Sequence, residues 1–250
     1  MKIFISAIKY PLAVLFWLAV WHVASLVIGS AIVLVSPIDT IVRLIELAGQ
    51  GHFWRSIGFT LLRIVSGFGL ALVIGILLAA FTSRSKFLYT LMLPAVNIIK
   101  SIPVASFAIL ALIWVGRANL SVFIAFVTVL PIVYFNTYEG IKNTDPKLLE
   151  MSKIFNVPLP RVILKVYFPS VLPHVISAAA SGLGFAFKAG VAAELIGRVG
   201  NTIGFNLQVA QNFLLTADLL AWTATIVLLS YLMEKIFLLC LKRVEKWQSE

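Results

Sequence analysis

Apolar runs long enough to cross a bilayer follow one another along this chain with only short loops between them. In order they cover residues 11–35, 57–81, 88–115, 120–138, 171–195 and 219–241. A membrane span needs about 20 mainly apolar residues to cross a hydrocarbon core of about 30 Å. Within lipid each backbone N–H and C=O must be bonded inside the segment, so such runs are helical. The expected fold is all-α: a polytopic membrane protein of about six transmembrane helices. Composition agrees. With 61% hydrophobic and 12% charged residues, a soluble domain would lack the polar surface to cover itself. The loops leave no room for a separate soluble domain, and no internal repeat is apparent.

A formal charge of +10 would suggest nucleic acid in a soluble chain. Here the basic residues cluster at the ends of apolar runs, as loop bias in a lipid bilayer requires, and no nucleic-acid partner is expected. With the first run leaving the cytoplasm, Lys2, Lys9, Arg84, Lys86, Lys142, Lys147, Lys153, Arg161, Lys165, Lys242, Arg243 and Lys246 fall inside. Arg43, Arg55, Arg117 and Arg198 fall outside, with Arg63 near the edge. That imbalance places both termini in the cytoplasm. The first run resembles a signal peptide in following Lys2 and Lys9, but it exceeds the roughly 7–15 apolar residues of one and lacks a convincing cleavage site. It reads as a retained span. The single cysteine, Cys240, excludes an intrachain disulfide and reads as packing. His22, His52 and His174 match no metal or catalytic spacing, and no cofactor is expected.

Punctuation between the runs gives the finer plan. Ile38–Leu47 reads as a short amphipathic helix at the outer surface with Asp39 as its cap, broken by Gly49 to Gly51. Gly58, Gly67, Gly69 and Gly75 in the second run would let helices approach closely in lipid. Pro94 and Pro103 interrupt the third. The polar stretch Gly197–Ala217 reads as a re-entrant or surface helix on the outer side.

Between the fourth and fifth runs lies a basic island, Asp145–Pro169. Asp145 suits an N-cap and Pro146 the first helical position, where its missing N–H would be unbonded anyway. Leu148, Met151 and Phe155 recur on one helical stripe. Asn156 tolerates the left-handed conformation that ends many helices. Pro158 and Pro160 then restart a second short helix, Arg161–Phe168, closed by Pro169. A helix with one apolar stripe between membrane spans needs something to dock against.

This island resembles the cytoplasmic loop of the permeases of binding-protein-dependent ABC importers. That loop runs Glu-Ala-Ala, three residues, Gly, nine residues, Ile-x-Leu-Pro. Here Glu150-Met151-Ser152 is followed by three residues and Asn156, then nine residues and Val166-Tyr167-Phe168-Pro169. Asn156 replaces the family's Gly. The likeness extends over roughly Ser56–Lys242. Ser56, Arg63, Gly67 and Phe68 are similar to the opening of the permease domain. Lys100-Ser101-Ile102-Pro103, Trp114-Val115-Gly116 and Tyr138-Glu139-Gly140-Ile141-Lys142 resemble the nitrate/sulfonate/taurine branch, in which a further Pro stands where this chain has Ile109.

The first run and the outer helix make up an N-terminal part over 1–55, and the resemblance implies a transmembrane domain over 56–245 with its coupling loop at 145–169. It implies a multi-pass protein of the bacterial inner membrane, pairing with a second permease copy as a homodimer. A cytoplasmic ABC ATPase dimer and an extracytoplasmic substrate-binding protein complete the assembly. Leu148, Glu150, Met151, Ser152, Phe155, Asn156 and Pro169 would form the ATPase-coupling element. The branch handles small solutes: sulfonates, taurine, nitrate, bicarbonate and vitamin-precursor pyrimidines.

The chain itself should not be an enzyme. It has no Gly-rich Lys-Ser/Thr phosphate loop, no metal set and no nucleophile–base pair. Lys100 and Lys188 are the ionisable residues well inside apolar runs, where a lysine costs about 2.5–3.5 kcal/mol on insertion scales. Lys188 either lies beside the route of an anionic solute, or snorkels outward or bonds backbone carbonyls at an interface. Lys100 either lines the path or bonds carbonyls freed by Pro103. Glu194 and Arg198, four apart, are matched to each other. An ion-gradient-driven secondary transporter or channel is the alternative, but it calls for acidic residues at mid-membrane, whereas Glu194 and Glu234 lie near the ends of their runs.

Overall fold

Ser36, Ser85, Asp145 and Thr202 each cap the helix that follows with a side-chain hydrogen bond. The computed structural model describes residues 2–248, with side chains over 12–239. Among the described residues every regular element is helical: α1 (Lys2–Ile28), α2 (Pro37–Ala48), α3 (Gly51–Thr82), α4 (Lys86–Ser101), α5 (Val104–Lys142), α6 (Pro146–Ile154), α7 (Leu159–Val162), α8 (Phe168–Gly197), α9 (Ile203–Asn212) and α10 (Thr216–Gln248). A π-helical turn, Ile163–Tyr167, joins α7 to α8. Cys240 and the side chains of Lys2, Lys9, Lys242, Arg243 and Lys246 lie outside the described set.

Among the described residues four segments are long and apolar enough to cross a membrane: α3, α5, residues 159–197 and the Thr216–Leu239 part of α10. Leu12–Ile28 of α1 is a shorter apolar helix. The 39-residue α5 is not one rod. Phe107 and Phe123 are sixteen positions apart, about 24 Å along a continuous helix at roughly 1.5 Å per residue, yet their rings lie 6.0 Å apart. The chain reverses at Gly116, whose φ of 71° and ψ of 172° fall in a region open essentially to glycine alone. Two antiparallel limbs result, residues 104–115 and 117–142.

The core is the three-way packing of α3, the second limb of α5, and α8. Ile64, Ala71, Ala125, Val129, Val133, Ala179 and Ala186 have no accessible surface there. Small residues permit the approach. A Cβ on Gly67 would collide with the Val122 carbonyl, and one on Gly190 would sit 2.7 Å from Ile64 Cγ1. Gly58 and Gly69, by contrast, face open space.

One end of the bundle is closed by α2 and α9. Arg43 of α2 forks onto Asp218 at the start of α10, with Nη2 donating to Oδ2 at 3.1 Å, and these hydrogen bonds, with that to Glu46, raise its pKa. Asn206 Nδ2 donates to Ser56 Oγ at 2.9 Å. Opposite, α4 leans on the far ends of α3 and α5. There Tyr89 stacks on Tyr138 at 4.2 Å, and Thr82 and Tyr134 share a 3.2 Å hydrogen bond.

Two local expectations are corrected. The cap of α2 is Ser36, not Asp39: Ser36 Oγ accepts from the Asp39 N–H at 3.2 Å and donates to the Asp39 carboxylate at 2.7 Å. Pro169 does not close a short helix. The chain runs from α7 through the π turn into α8 without a break. Pro169 sits in the first turn of α8, and the wider π ring just before it accommodates both the missing N–H and the pyrrolidine ring.

Candidate coupling loop and solute path

The helix α6 is set by its two caps. Asp145 accepts a hydrogen bond from the Lys147 N–H at 2.9 Å, and Pro146 occupies the first turn. At the other end Asn156 is left-handed, with φ 47°. The Val157 N–H reaches back to the Ser152 carbonyl at 2.9 Å and the Asn156 N–H to that of Lys153 at 3.1 Å. This pair of bonds is the Schellman arrangement, with Asn where Gly is usual.

Of the residues assigned to coupling, Leu148, Glu150, Met151, Phe155 and Asn156 are exposed together on α6 and its cap, while Ser152 is buried and donates to the Leu149 carbonyl at 2.7 Å. Pro169 stands apart, beyond the π turn. Ile154 was missed, although it lies three residues after Met151. It is 77% exposed, and with Phe155 at 73% it forms the most prominent apolar surface of the loop. The root of α6 is braced: Lys142 Nζ donates to the Ser83 carbonyl at 3.1 Å and lies over the Tyr138 ring.

Lys100 and Lys188 border different cavities that share one wall. Lys100 lines a cavity of about 430 Å³ between α4, α5 and α8. Lys188 lines an open one of about 260 Å³ between α8 and α10, together with Ser181 and Glu234. Phe185 borders both. Lys100 Nζ lies 5.6 Å from the Phe135 ring centroid and Lys188 Nζ 5.8 Å from that of Phe185. Both ion pairs found among the described residues belong to Arg43, so neither lysine is neutralised in one. Ser177, Ser181, Phe185 and Lys188 are the exposed residues over the middle of α8, three polar and one aromatic. Glu234 shares the Lys188 cavity although it lies on a different helix, a proximity that no spacing in the sequence discloses.

The expected Glu194–Arg198 pair does not form. Arg198 is the left-handed C-cap of α8 and is exposed, so its side chain leaves the helical face on which i and i+4 meet. Glu194 turns inward and has no accessible surface. Its Oε2 accepts from Thr60 Oγ1 at 2.8 Å and from the Gly204 N–H at 3.2 Å. Gly204 permits this, since any Cβ there would overlap the Glu194 side chain.

Residues 71–246 match the family described as "Binding-protein-dependent transport system inner membrane component". The chain belongs to this family. It is similar to the Bacillus subtilis protein named aliphatic sulfonates transport permease protein SsuC, at 29% identity over 93% of this chain and 84% of that one. The taurine transport system permease protein TauC of Escherichia coli is 25% identical over 92% and 86% of the two chains. The nitrate import permease protein NrtB of Synechocystis is 27% identical over 86% and 81%. Among solved structures, a chain of an amino acid ABC transporter superposes with a TM-score of 0.59 at 15% identity, covering 82% of this chain and 96% of that one. A chain of the inward-facing MetNI methionine ABC transporter gives 0.53 at 18%, covering 79% and 94%. These likenesses establish the fold.

The chain is thus the multi-pass inner-membrane permease subunit of an ABC importer. It is not itself the enzyme, since ATP hydrolysis in these systems resides in a separate subunit, and an external binding protein supplies the solute.

Proposed function

We propose that this permease works as a homodimer, that each copy crosses the membrane six times with both termini in the cytoplasm, and that α6 is the lever through which the ATPase dimer moves it. The reversal at Gly116 supports the crossing number, because it divides α5 between two passes. The observation that carries the lever is the apolar surface of Leu148, Met151, Ile154 and Phe155, held out from the bundle on a helix capped at both ends. Such a surface docks into a cleft of a partner, and its rigid root at Lys142 passes displacement to α3, α4 and α5. Closing of the ATPases on ATP favours one arrangement of the spans and their reopening the other.

The solute is a small anion, met in the path by Lys100 and Lys188. The exposed polar residues over the middle of α8 and the unpaired state of both lysines support this reading. A cysteine placed at Met151 should cross-link to the ATPase in inside-out vesicles and be shielded from a membrane-impermeant thiol reagent in the assembled complex. A cysteine there that labels fully in the complex and never cross-links contradicts the docking.

A further inference from the structure

The helix α2 has three faces. At about 100° per residue, Pro37, Thr40, Leu44 and Leu47 fall on one face, which packs on α10 and the core. Ile38, Ile41, Val42 and Ile45 fall on a second, each more than half exposed. Asp39, Arg43 and Glu46 fall on the third, where Arg43 Nη1 donates to the Glu46 carboxylate at 2.7 Å. A helix bordered by protein and water alone has no use for the second face, since four contiguous aliphatic side chains are poorly placed in water.

The two ends of α2 show what covers that face. Trp21 Nε1 donates to the Val35 carbonyl at 3.0 Å, just before the Ser36 cap. Trp21 stands two turns before the end of α1 at Ile28, about 10 Å along the helix. The chain therefore turns back beside α1 and starts α2 at a level that α1 itself occupies, not beyond its tip. At the other end Trp54 Nε1 donates to the Ala48 carbonyl at 2.8 Å, while its ring stays 61% exposed. Indoles with the N–H bonded and the ring bare collect at the membrane–water boundary. The adjoining surface of α1, with Val23, Leu26 and Val27 exposed, is of the same apolar kind, so lipid that covers α1 continues onto α2.

From this geometry we propose that α2 lies flat in the outer boundary of the bilayer, with Ile38, Ile41, Val42 and Ile45 among the acyl chains and Asp39, Arg43 and Glu46 at the headgroups. The axis runs along the membrane plane because Asp39 and Glu46 share one face yet lie about 10 Å apart along it. An upright helix would bury one of the two among the chains, where a carboxylate is costly. Interfacial helices of this kind sink their apolar face about 5–10 Å into the headgroup–acyl boundary. Through the 3.1 Å bond from Arg43 Nη2 to Asp218 Oδ2, α2 then holds the start of α10 at that depth. The leaflet follows from the proposed orientation of the termini, and the insertion does not depend on it.

Spin labelling of the permease–ATPase complex in phosphatidylcholine nanodiscs tests this, on a Cys240→Ser background that removes the one native thiol. Nitroxides on Ile41→Cys and Ile45→Cys should relax more with oxygen, which concentrates in lipid, than with water-soluble nickel ethylenediaminediacetate. A nitroxide on Glu46→Cys should show the reverse, with an oxygen-to-nickel accessibility ratio about fivefold or more below that at Ile41, as their difference in depth implies. Val42→Cys, on the same face as Ile41, should repeat the Ile41 result, so that one poorly folded variant does not decide the outcome. Nickel accessibility at positions 41, 42 and 45 equal to that at 46 puts the face in water and overturns the proposal. Shielding of all three from both relaxants shows that protein covers them and overturns it as well. In right-side-out vesicles a membrane-impermeant thiol reagent should label Glu46→Cys from outside. Labelling from the cytoplasmic side alone overturns the leaflet and, with it, the orientation of the termini, while the relaxation contrast still reports the insertion.

Discussion

Thr60 and Glu194, 134 positions apart, are joined by a 2.8 Å hydrogen bond inside the bundle. The Thr60 hydroxyl donates to the carboxylate, and its oxygen accepts the Ile203 N–H at 3.0 Å. The same carboxylate oxygen takes the Gly204 N–H at 3.2 Å. One side chain from α3 and one from α8 thus hold the first turn of α9.

Glu194→Leu should therefore strand the Thr60 hydroxyl and the Gly204 N–H in a buried site. Each unsatisfied group costs about 1–3 kcal/mol, so loss of about 2–6 kcal/mol in stability is expected for the two. Glu194→Gln retains an acceptor and should lose less. Thermal unfolding in lipid nanodiscs measures both, and protease accessibility of α9 should rise in the leucine variant alone.

Gly116 should tolerate no side chain. Its φ of 71° with ψ of 172° is a conformation that costs other residues of order 1–3 kcal/mol. Nothing crowds the position, so a loss in Gly116→Ala reports backbone strain rather than overlap. The measure is the midpoint of thermal unfolding compared with Gly58→Ala, where the site is equally open and the helical backbone accepts alanine.

Lys188→Ala should reduce uptake more than Lys188→Arg, with assembly and basal ATPase rate nearly unchanged in both. The lysine is exposed in the middle of α8 and in no ion pair among the described residues, so its removal leaves no buried charge unpaired. Loss of folded protein with either substitution would show a structural role instead.

Much of this architecture is written locally, and some of it is not. The caps of α6 are readable because Asp145, Pro146 and Asn156 act through their own backbone neighbours. The end of the third run at Val115 is likewise local, since Gly116, Arg117 and Asn119 interrupt the apolar pattern there. The facing of α8 is different. A span is apolar on all sides, since lipid and core accept the same side chains, so periodicity does not separate the buried face from the others. Glu194 therefore looked like a partner for Arg198, and only its packing against Thr60 and Gly204 shows where it points. The uninterrupted passage through Pro169 depends on a π turn that has no compositional signature. The meeting of Lys188 with Glu234 and of both cavities at Phe185 is set by tertiary packing across helices.

In lipid and without partners, the permease should neither bind nor hydrolyse ATP, because it carries no phosphate-cradling loop. Equilibrium binding of a labelled nucleotide to the purified chain checks this. Saturable binding would contradict the division of labour between subunits.

The central claim is that α6 couples the ATPase to the spans, and co-purification of the ATPase with α6 variants tests it most directly. Phe155 is 73% exposed in the isolated chain, and an aromatic anchor of this kind contributes about 2 kcal/mol or more to an interface, about thirtyfold in affinity. Phe155→Ala should weaken ATPase recruitment by that order while the permease still inserts. Asn156→Val should do the same by disrupting the left-handed cap at φ 47°, which a β-branched residue resists. Asn156→Gly should recover wild-type binding, since glycine adopts that conformation freely. If Phe155→Ala and Asn156→Val both co-purify with the ATPase at wild-type yield and transport normally, α6 is not the coupling element.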